Sequence, residues 1–232
     1  MSIGIIIPTL NEERALPRTL AALASANFEE IIVVDAGSVD RTLEIVEAFQ
    51  KAVPHKAIKV IKCQPGRAHQ MNAGAAECLA DILVFLHADT RLPADGRSAI
   101  ETVESDSRYA GGRFDVQFED DKGFAWVISR MMNLRSRWSG ISTGDQALFV
   151  RRTVFQQLGG FAEIPIMEDI EFSHRLKKAG KIAALRSRVI TSFRRWEQRG
   201  PARTIITMWT LRFLYWIGIS PHTLNQFYGS IR

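Results

Sequence analysis

The stretch VFLHADTRLP, residues 84–93, decides how the chain reads. An apolar run over residues 82–86 stops abruptly at His87-Ala88-Asp89-Thr90. A continuous apolar run, rather than an alternating one, reads as a strand covered on both faces, as in parallel sheets. A histidine and a carboxylate then stand two residues apart at its carboxyl end. In open α/β sheets that end is where ligands bind. The stretch therefore predicts both an architecture and the edge that carries the chemistry.

Runs of the same kind recur upstream at 3–7, 31–34 and 58–61. Between them the spacing turns helical: Leu16, Leu20 and Leu23, then Leu43, Val46 and Phe49. Strand–helix alternation over residues 1–90 implies right-handed βαβ units and a mainly parallel, twisted α/β sheet flanked by helices. Downstream the rhythm loosens. A strand is expected at 109–118, a helix at 123–138, a short strand at 147–150 and an amphipathic helix at 170–179, ended by Gly180.

Length and composition agree with a globular domain plus an appended segment: 232 residues, 46% hydrophobic and 24% charged. The boundary is placed at residue 200, with a helical segment over 201–232. The formal charge of +5 admits a polyanion, an anionic membrane surface or a phosphate-bearing substrate as partner. The excess sits late in the chain. Between His174 and Arg212 the only acid among many lysines and arginines is Glu197, which also fits a solvated basic face. Cys63 and Cys78 form no CxxC pair, against a zinc ribbon or disulfide scaffold and in keeping with a reducing compartment. The first residues lack the basic region of a signal peptide and read as a first strand. The tail over 204–219 is interrupted by Arg212 and is shorter than the ~20 residues of a spanning helix. It is expected to be an amphipathic helix whose face of Ile205, Ile206, Trp209, Phe213 and Trp216 packs on the domain or a dimer partner. Membrane contact, if made, is then peripheral.

In a parallel sheet the loops after successive strands open on one edge. Here they are Pro8-Thr9-Leu10-Asn11-Glu12-Glu13, VDAGSVDRT (34–42), QPGRAHQMNAGA (64–75) and His87-Ala88-Asp89. Each alone is weak, since Asp40-Arg41-Thr42 equally reads as a plain helix start. Together they suit a nucleoside diphosphate bound through a divalent cation. Oxygen ligands favour Mg²⁺ or Mn²⁺, and an imidazole moves the preference toward Mn²⁺. Neither G-x-G-x-x-G after the first strand nor G-x-x-x-x-G-K-[ST] is present, against a dinucleotide dehydrogenase and a P-loop NTPase.

With these residues in place the sequence resembles the family 2 glycosyltransferases of the GT-A fold. The resemblance rests on IIIPTLNEE, VVDAGSVDRT, PGRAHQMNAGA, VFLHADTRLP, GDQALFVRR and GGFAEIPIMEDIEFSHRLKKAG, in the family's order over about residues 3–180. GRAHQMNAGA, FLHADT and GDQALFV are similar in particular to small bacterial glycosyltransferases associated with arsenosugar biosynthesis. The resemblance implies an inverting hexosyltransferase with a nucleotide-sugar donor, UDP-linked by preference. It implies a small-molecule or lipid-linked acceptor, no nucleic acid polymer, and a cytoplasmic location that extends to the inner membrane face.

It also implies roles. Pro8, Thr9, Glu12, Asp35, Arg67, Asn72 and His87 line the nucleotide, with Asp35 reading the base. His87-Ala88-Asp89 takes the place of the D-x-D element, so Asp89 and His87 hold the metal. Glu168 and Asp169 match the family's acidic pair, with Asp169 as base toward the acceptor hydroxyl. Gly144, Asp145, Arg194, Arg195 and Trp196 fall on the diphosphate or acceptor side. Three departures bear on this: Ala36 and Met71 stand where many members carry Asp and Arg, and His87 replaces the first Asp of D-x-D.

Each residue also has a structural reading. Glu168-Asp169 suits a helix first turn, His87 a strand-end bond to a backbone carbonyl, and Arg195-Trp196 surface packing. Two rival functions remain. A nucleotidyltransferase would carry a glycine-rich basic loop where this chain has acidic PTLNEE. A non-catalytic nucleotide- or sugar-binding protein would bind donor without releasing sugar.

Overall fold

The structure is a computed structural model describing residues 1–228, apart from the side chains of Arg195 and Arg199. Its first part alternates as expected: β1 (Ile3–Thr9), α1 (Leu16–Ser25), β2 (Glu30–Asp35), α2 (Thr42–Ala52), β3 (Ala57–Lys62), α3 (Arg67–Glu77) and β4 (Ile82–Phe85). These four strands pair in parallel, in the order β3-β2-β1-β4. The apolar runs of β1, β2 and β4 are buried on both faces, as their continuity demanded. β3 instead lies at the sheet edge, carries Lys59 and alternates between exposed and half-buried positions, which corrects the expectation for the 58–61 run. Ile5, Ile7 and Val84 belong to one core cluster, and Ile6, Val34 and Phe85 to the other. α3 lies close on β1 and β2 because Gly74 leaves room. A Cβ there would meet Ile6 Cγ2 at 2.5 Å and Val34 Cγ2 at 2.9 Å.

The sheet then changes character. After the short β5 (Thr90–Arg91) and α4 (Gly96–Glu104) come β6 (Tyr109–Phe118), α5 (Phe124–Ser139), a 3₁₀ turn (Gly144–Gln146) and β7 (Leu148–Arg151). α6 (Arg152–Gln157), α7 (Glu168–Ala179) and β8 (Lys181–Thr191) follow. β7 pairs antiparallel with both β4 and β6, β8 runs parallel to β6, and β5 closes the edge antiparallel to β8. The result is one mixed eight-stranded sheet, β3-β2-β1-β4-β7-β6-β8-β5. β8 was absent from the expectation. Its LRSRVIT segment alternates between buried and wetter positions and carries arginines, unlike the runs of β1, β2 and β4.

α5 is fixed on β6 by polar groups as well as apolar ones. The almost wholly buried Arg113 meets Asp115 at 2.5 Å, and Arg137 reaches the same carboxylate at 2.6 Å. The Asn133 amide exchanges hydrogen bonds with both backbone groups of Val116, at 2.8 and 2.9 Å.

The chain ends in α8 (Arg194–Arg199), α9 (Pro201–Trp216) and α10 (Pro221–Tyr228). α9 is the helix expected of the tail, but its orientation corrects the expected face. Ile205 packs toward Phe118 and Ile128, whereas Ile206, Trp209, Phe213 and Trp216 point outward. The residues it buries are Thr204 and Leu211. Among the described residues no helix is long and apolar enough to cross a membrane.

Candidate active site

Register brings the predicted loops together. Thr9 ends β1 directly opposite Asp35 at the end of β2, and its hydroxyl donates to Asp35 Oδ1 at 3.2 Å. Asp35 is fully buried and also accepts from the backbone of Gly37 at 3.0 Å and Ser38 at 2.9 Å, and from the Ser38 hydroxyl at 2.5 Å. Its oxygens thus shape the loop after β2. The first loop is laced to this one. Asn11 N–H donates to Ser38 Oγ at 2.9 Å, Glu12 N–H to Thr42 Oγ1 at 2.8 Å, and Glu13 N–H to Asp40 Oδ2 at 3.0 Å. Asp40 also accepts from Thr42 N–H at 3.0 Å, so a helix does start here, but its N-cap is Arg41 and Asp40 stands one residue ahead of it.

The edge carries strain. The described non-glycine residues with left-handed backbone are Asn11 (φ 54°), Ala147 (φ 46°) and Met167 (φ 69°). They adjoin Glu12, the 144–146 turn and Glu168. Such residues cost about 1–3 kcal/mol each and persist where the surroundings over-determine them, often at functional sites.

His87 follows β4 and meets the 3₁₀ turn. Its Nδ1 lies 3.3 Å from Asp145 Oδ1, while the buried Nε2 has no hydrogen-bond partner among the described residues. A Cβ on Gly144 would meet that Nε2 at 2.3 Å, so only glycine admits the ring there. The pairing is with a carboxylate rather than a backbone carbonyl. Gly144 N–H also donates to Asp169 Oδ2 at 3.0 Å, while Asp169 Oδ1 accepts from Ile170 N–H at 2.7 Å. The turn therefore links His87 to the acidic pair at the head of α7.

Glu168 is buried, with Arg67 Nη1 3.7 Å from its Oε1. Burial pushes its carboxyl pKa up, Arg67 opposes the rise, and Asp169 adds to it. Asp169 stands half-exposed beside it. The helix-start reading is met as well, since both acids occupy the first turn of α7. At the other end of the site, burial raises the Glu12 pKa and the charge of Asp89 raises it further, while Arg194 at 3.5 Å pulls it down.

The acidic pair, Arg67 and the 3₁₀ turn open onto a cavity of about 660 Å³, which Thr9, Glu12, Asp35, His87 and Asp89 do not line. Arg67, Gly144, Asp145, Glu168 and Asp169 line its polar end, with Ile128, Met132, Ile166, Met208 and Leu211 on its apolar walls. A narrow adjoining cleft is lined by Pro8, His87 and Phe161 together with Arg67 and Asp169.

Two expectations change. Asn72, expected on the nucleotide, spends both ends of its amide on Phe161, donating to its carbonyl and accepting from its N–H at 2.9 Å each. Trp196 stacks on Phe193 with ring centroids 6.1 Å apart and lies edge-on to Phe118. Packing is thus its direct role, although it also borders the cavity. The Arg195 side chain lies outside the described residues. Two residues were missed. Arg135 of α5 lines the cavity; burial lowers its pKa, while Asp169 and Asp145 oppose the change. Gln70 is buried and donates to the carbonyls of Thr9 at 2.8 Å and Val34 at 2.9 Å. Arg135 stands in no motif, and Gln70 lies within PGRAHQMNAGA without having been singled out there.

Whether a cation suits this site can be judged from its donors. Among the described residues, no three His, Cys, Asp or Glu groups could hold one unaided. Mg²⁺ and similar ions at phosphate sites commonly rest on one or two carboxylates, with phosphate oxygens completing the shell. Glu12 and Asp89 supply two such carboxylates, and Glu12 Oε2 is buried with no hydrogen-bond partner among the described residues, which suits a cation-holding oxygen.

A mixed sheet flanked by helices, with polar loops gathered at the ends of its parallel strands, defines a GT-A-like nucleotide-sugar transferase fold. The Glycosyl transferase family 2 signature matches residues 4–161, and the chain belongs to that family. It is 30% identical over 186 residues to a PGL/p-HBAD biosynthesis glycosyltransferase of Mycobacterium bovis, covering 74% of this chain and 68% of the relative. S. aureus TarS 1–349 in complex with UDP-GlcNAc superposes with a TM-score of 0.66 at 19% identity, over 83% of this chain and 58% of that one. The mannosyltransferase PcManGT of Pyrobaculum calidifontis, in complex with GDP-Man and Mn²⁺, gives a TM-score of 0.66 at 20% identity, over 82% and 56%. The chain spans between 47% and 68% of the length of the first curated relatives it matches.

Proposed function

We propose that this glycosyltransferase moves a sugar, with inversion, from a nucleotide-diphosphate donor to an acceptor hydroxyl, and that the donor is UDP-linked. The observation that carries the reading is Asp169. Its carboxylate is held by Gly144 N–H at the cavity wall, beside Arg67 and Glu168. A base so placed takes the acceptor proton as the acceptor oxygen bonds to the anomeric carbon and the bond to the diphosphate breaks.

Pro8, Thr9, Glu12 and the Asp35-ordered loop line the donor end, with Arg67 on the base or ribose side. Arg194, paired to Glu12, gives a charge-assisted contact to the leaving diphosphate. Asp89, with Glu12 or His87 beside it, would hold Mn²⁺ or Mg²⁺, whose chemistry is to neutralise charge on the leaving group. The nucleotide sugars bound to TarS and PcManGT, and the Mn²⁺ in the latter, support this reading. One relative is named an undecaprenyl-phosphate 4-deoxy-4-formamido-L-arabinose transferase, which supports a lipid-linked acceptor and a cytoplasmic enzyme peripheral to the membrane. The motifs GRAHQMNAGA, FLHADT and GDQALFV support the narrower place among arsenosugar-associated enzymes.

Asp169→Asn tests the reading. Donor affinity, measured by UDP titration calorimetry, should be kept. Transfer should fall about 10²–10⁴-fold. An Asn variant that transfers near the wild-type rate would move the base to another group, Glu168 first.

A further inference from the structure

We propose that the outward faces of α5 and α9 together dock this protein on an anionic lipid surface, with the rim of the active-site cavity at that surface. α5 presents Val127, Met131, Leu134 and Trp138 to solvent, spaced by three and four residues along one stripe. α9 presents Ile206, Trp209, Phe213 and Trp216 with the same spacing. Trp138 is 92% exposed and Trp216 79% exposed. Soluble monomers rarely leave apolar residues gathered in this way without a use for them.

The two stripes belong to one surface. Ile205 of α9 packs near Ile128 of α5, and Met131 and Trp209 both stand on the exposed stripes and line the cavity. The apolar outer face thus runs into the apolar cavity walls, whose far end holds Asp169.

Composition selects the occupant. Neither helix contains an acid, and their exposed, unspent cations are Arg130 on α5 and Arg203 on α9, since Arg137 is paired to Asp115 and Arg135 and Arg212 line the cavity. Arg130 lies over the exposed Trp126 ring, 5.3 Å from its centroid. Trp126, Trp138, Trp209 and Trp216 are exposed on these two helices, leaving only Trp196 of the chain's five tryptophans elsewhere. Tryptophan beside arginine, with no carboxylate on either helix, suits a membrane–water boundary with anionic headgroups. A second copy fits less well, because an isologous contact would set these same acid-free helices against each other.

The docking claim rests on exposure and charge alone; only the use of the cavity by an acceptor drawn from the lipid rests on the transferase reading. The test is co-sedimentation with phosphatidylcholine vesicles and with vesicles containing phosphatidylglycerol, at low and high salt. Wild type should bind the anionic vesicles more tightly, lose part of that affinity in high salt, and shift its tryptophan emission to the blue on binding. Trp138→Ser with Trp216→Ser should weaken binding by about tenfold or more, since each removes an exposed interfacial ring. Its melting midpoint and UDP affinity should stay unchanged. Asp169→Asn should sediment like wild type even though transfer is lost. If wild type ignores anionic vesicles, or the double variant binds as wild type does, the proposal is overturned. A dimer that the double variant splits, without vesicle binding by either protein, would equally overturn it and assign the face to a second copy.

Discussion

His87 and Gly144 are a matched pair. The ring fits only because residue 144 has no Cβ, and the same residue's N–H orders Asp169. Gly144→Ala should therefore force the turn off the ring and cost about 1–3 kcal/mol, as overpacking does. His87→Ala should remove the clash. The double variant is then expected to be more stable than the two single losses added together, a coupling that urea midpoints of all four proteins would show. Asp89 plays a different part. It crowds Glu12 electrostatically, so Asp89→Ala should let Glu12 ionise more readily and remove the Mn²⁺ dependence of UDP binding. A titration with unchanged metal dependence would place the cation elsewhere.

Among the elements, α3 shows how a side chain of the right type at the right edge can serve the scaffold. Gln70 ties α3 to the ends of β1 and β2, and Asn72 clamps the turn at Phe161 ahead of α7. Asn72→Ala should leave backbone groups of Phe161 without partners, costing about 1–3 kcal/mol. It should lower the thermal midpoint while the folded fraction keeps its UDP affinity. A large loss of affinity without loss of stability would restore the nucleotide role. β8 and α9 show the reverse difficulty. β8 is half wet, so its apolar period is diluted, and α9 has apolar residues on more than one side, so its sequence does not say which face turns inward.

At the scale of the whole molecule, the second half of the sheet depends on an ion pair that the sequence did not point to. Glu104 closes α4, with its side chain wholly buried and Arg151 Nη2 2.8 Å from its Oε2. Burial raises its pKa from the ordinary 4.5, and Arg151 offsets the rise only in part. The native state then holds this proton to a higher pH than the unfolded chain does. Its contribution is full below the unfolded pKa and is lost as pH rises through the folded one. Glu104→Gln should accordingly gain stability relative to wild type as pH rises above the ordinary carboxylate value of 4.5, read from urea midpoints. A gap that stays constant with pH would mean the pair with Arg151 fully restores the charge.

The continuous apolar runs settled β1, β2 and β4 by themselves, because strands buried on both faces leave a signal that does not depend on partners. β3, half wet at the sheet edge, was legible from its β-branched residues. The residues after those runs were legible too, since strand direction alone puts Pro8, Thr9, Asp35 and His87 on one edge. Only the tertiary structure decided what those residues touch. Asn72 meets Phe161 across 89 residues of chain, and Gly144 meets His87 and Asp169 from two other elements. It also decided that β4 is followed across the sheet by an antiparallel β7, and that α9 turns its tryptophans outward beside those of α5. Local pattern records whether a residue is buried; which neighbour buries it is set by long-range packing, and no single segment encodes that.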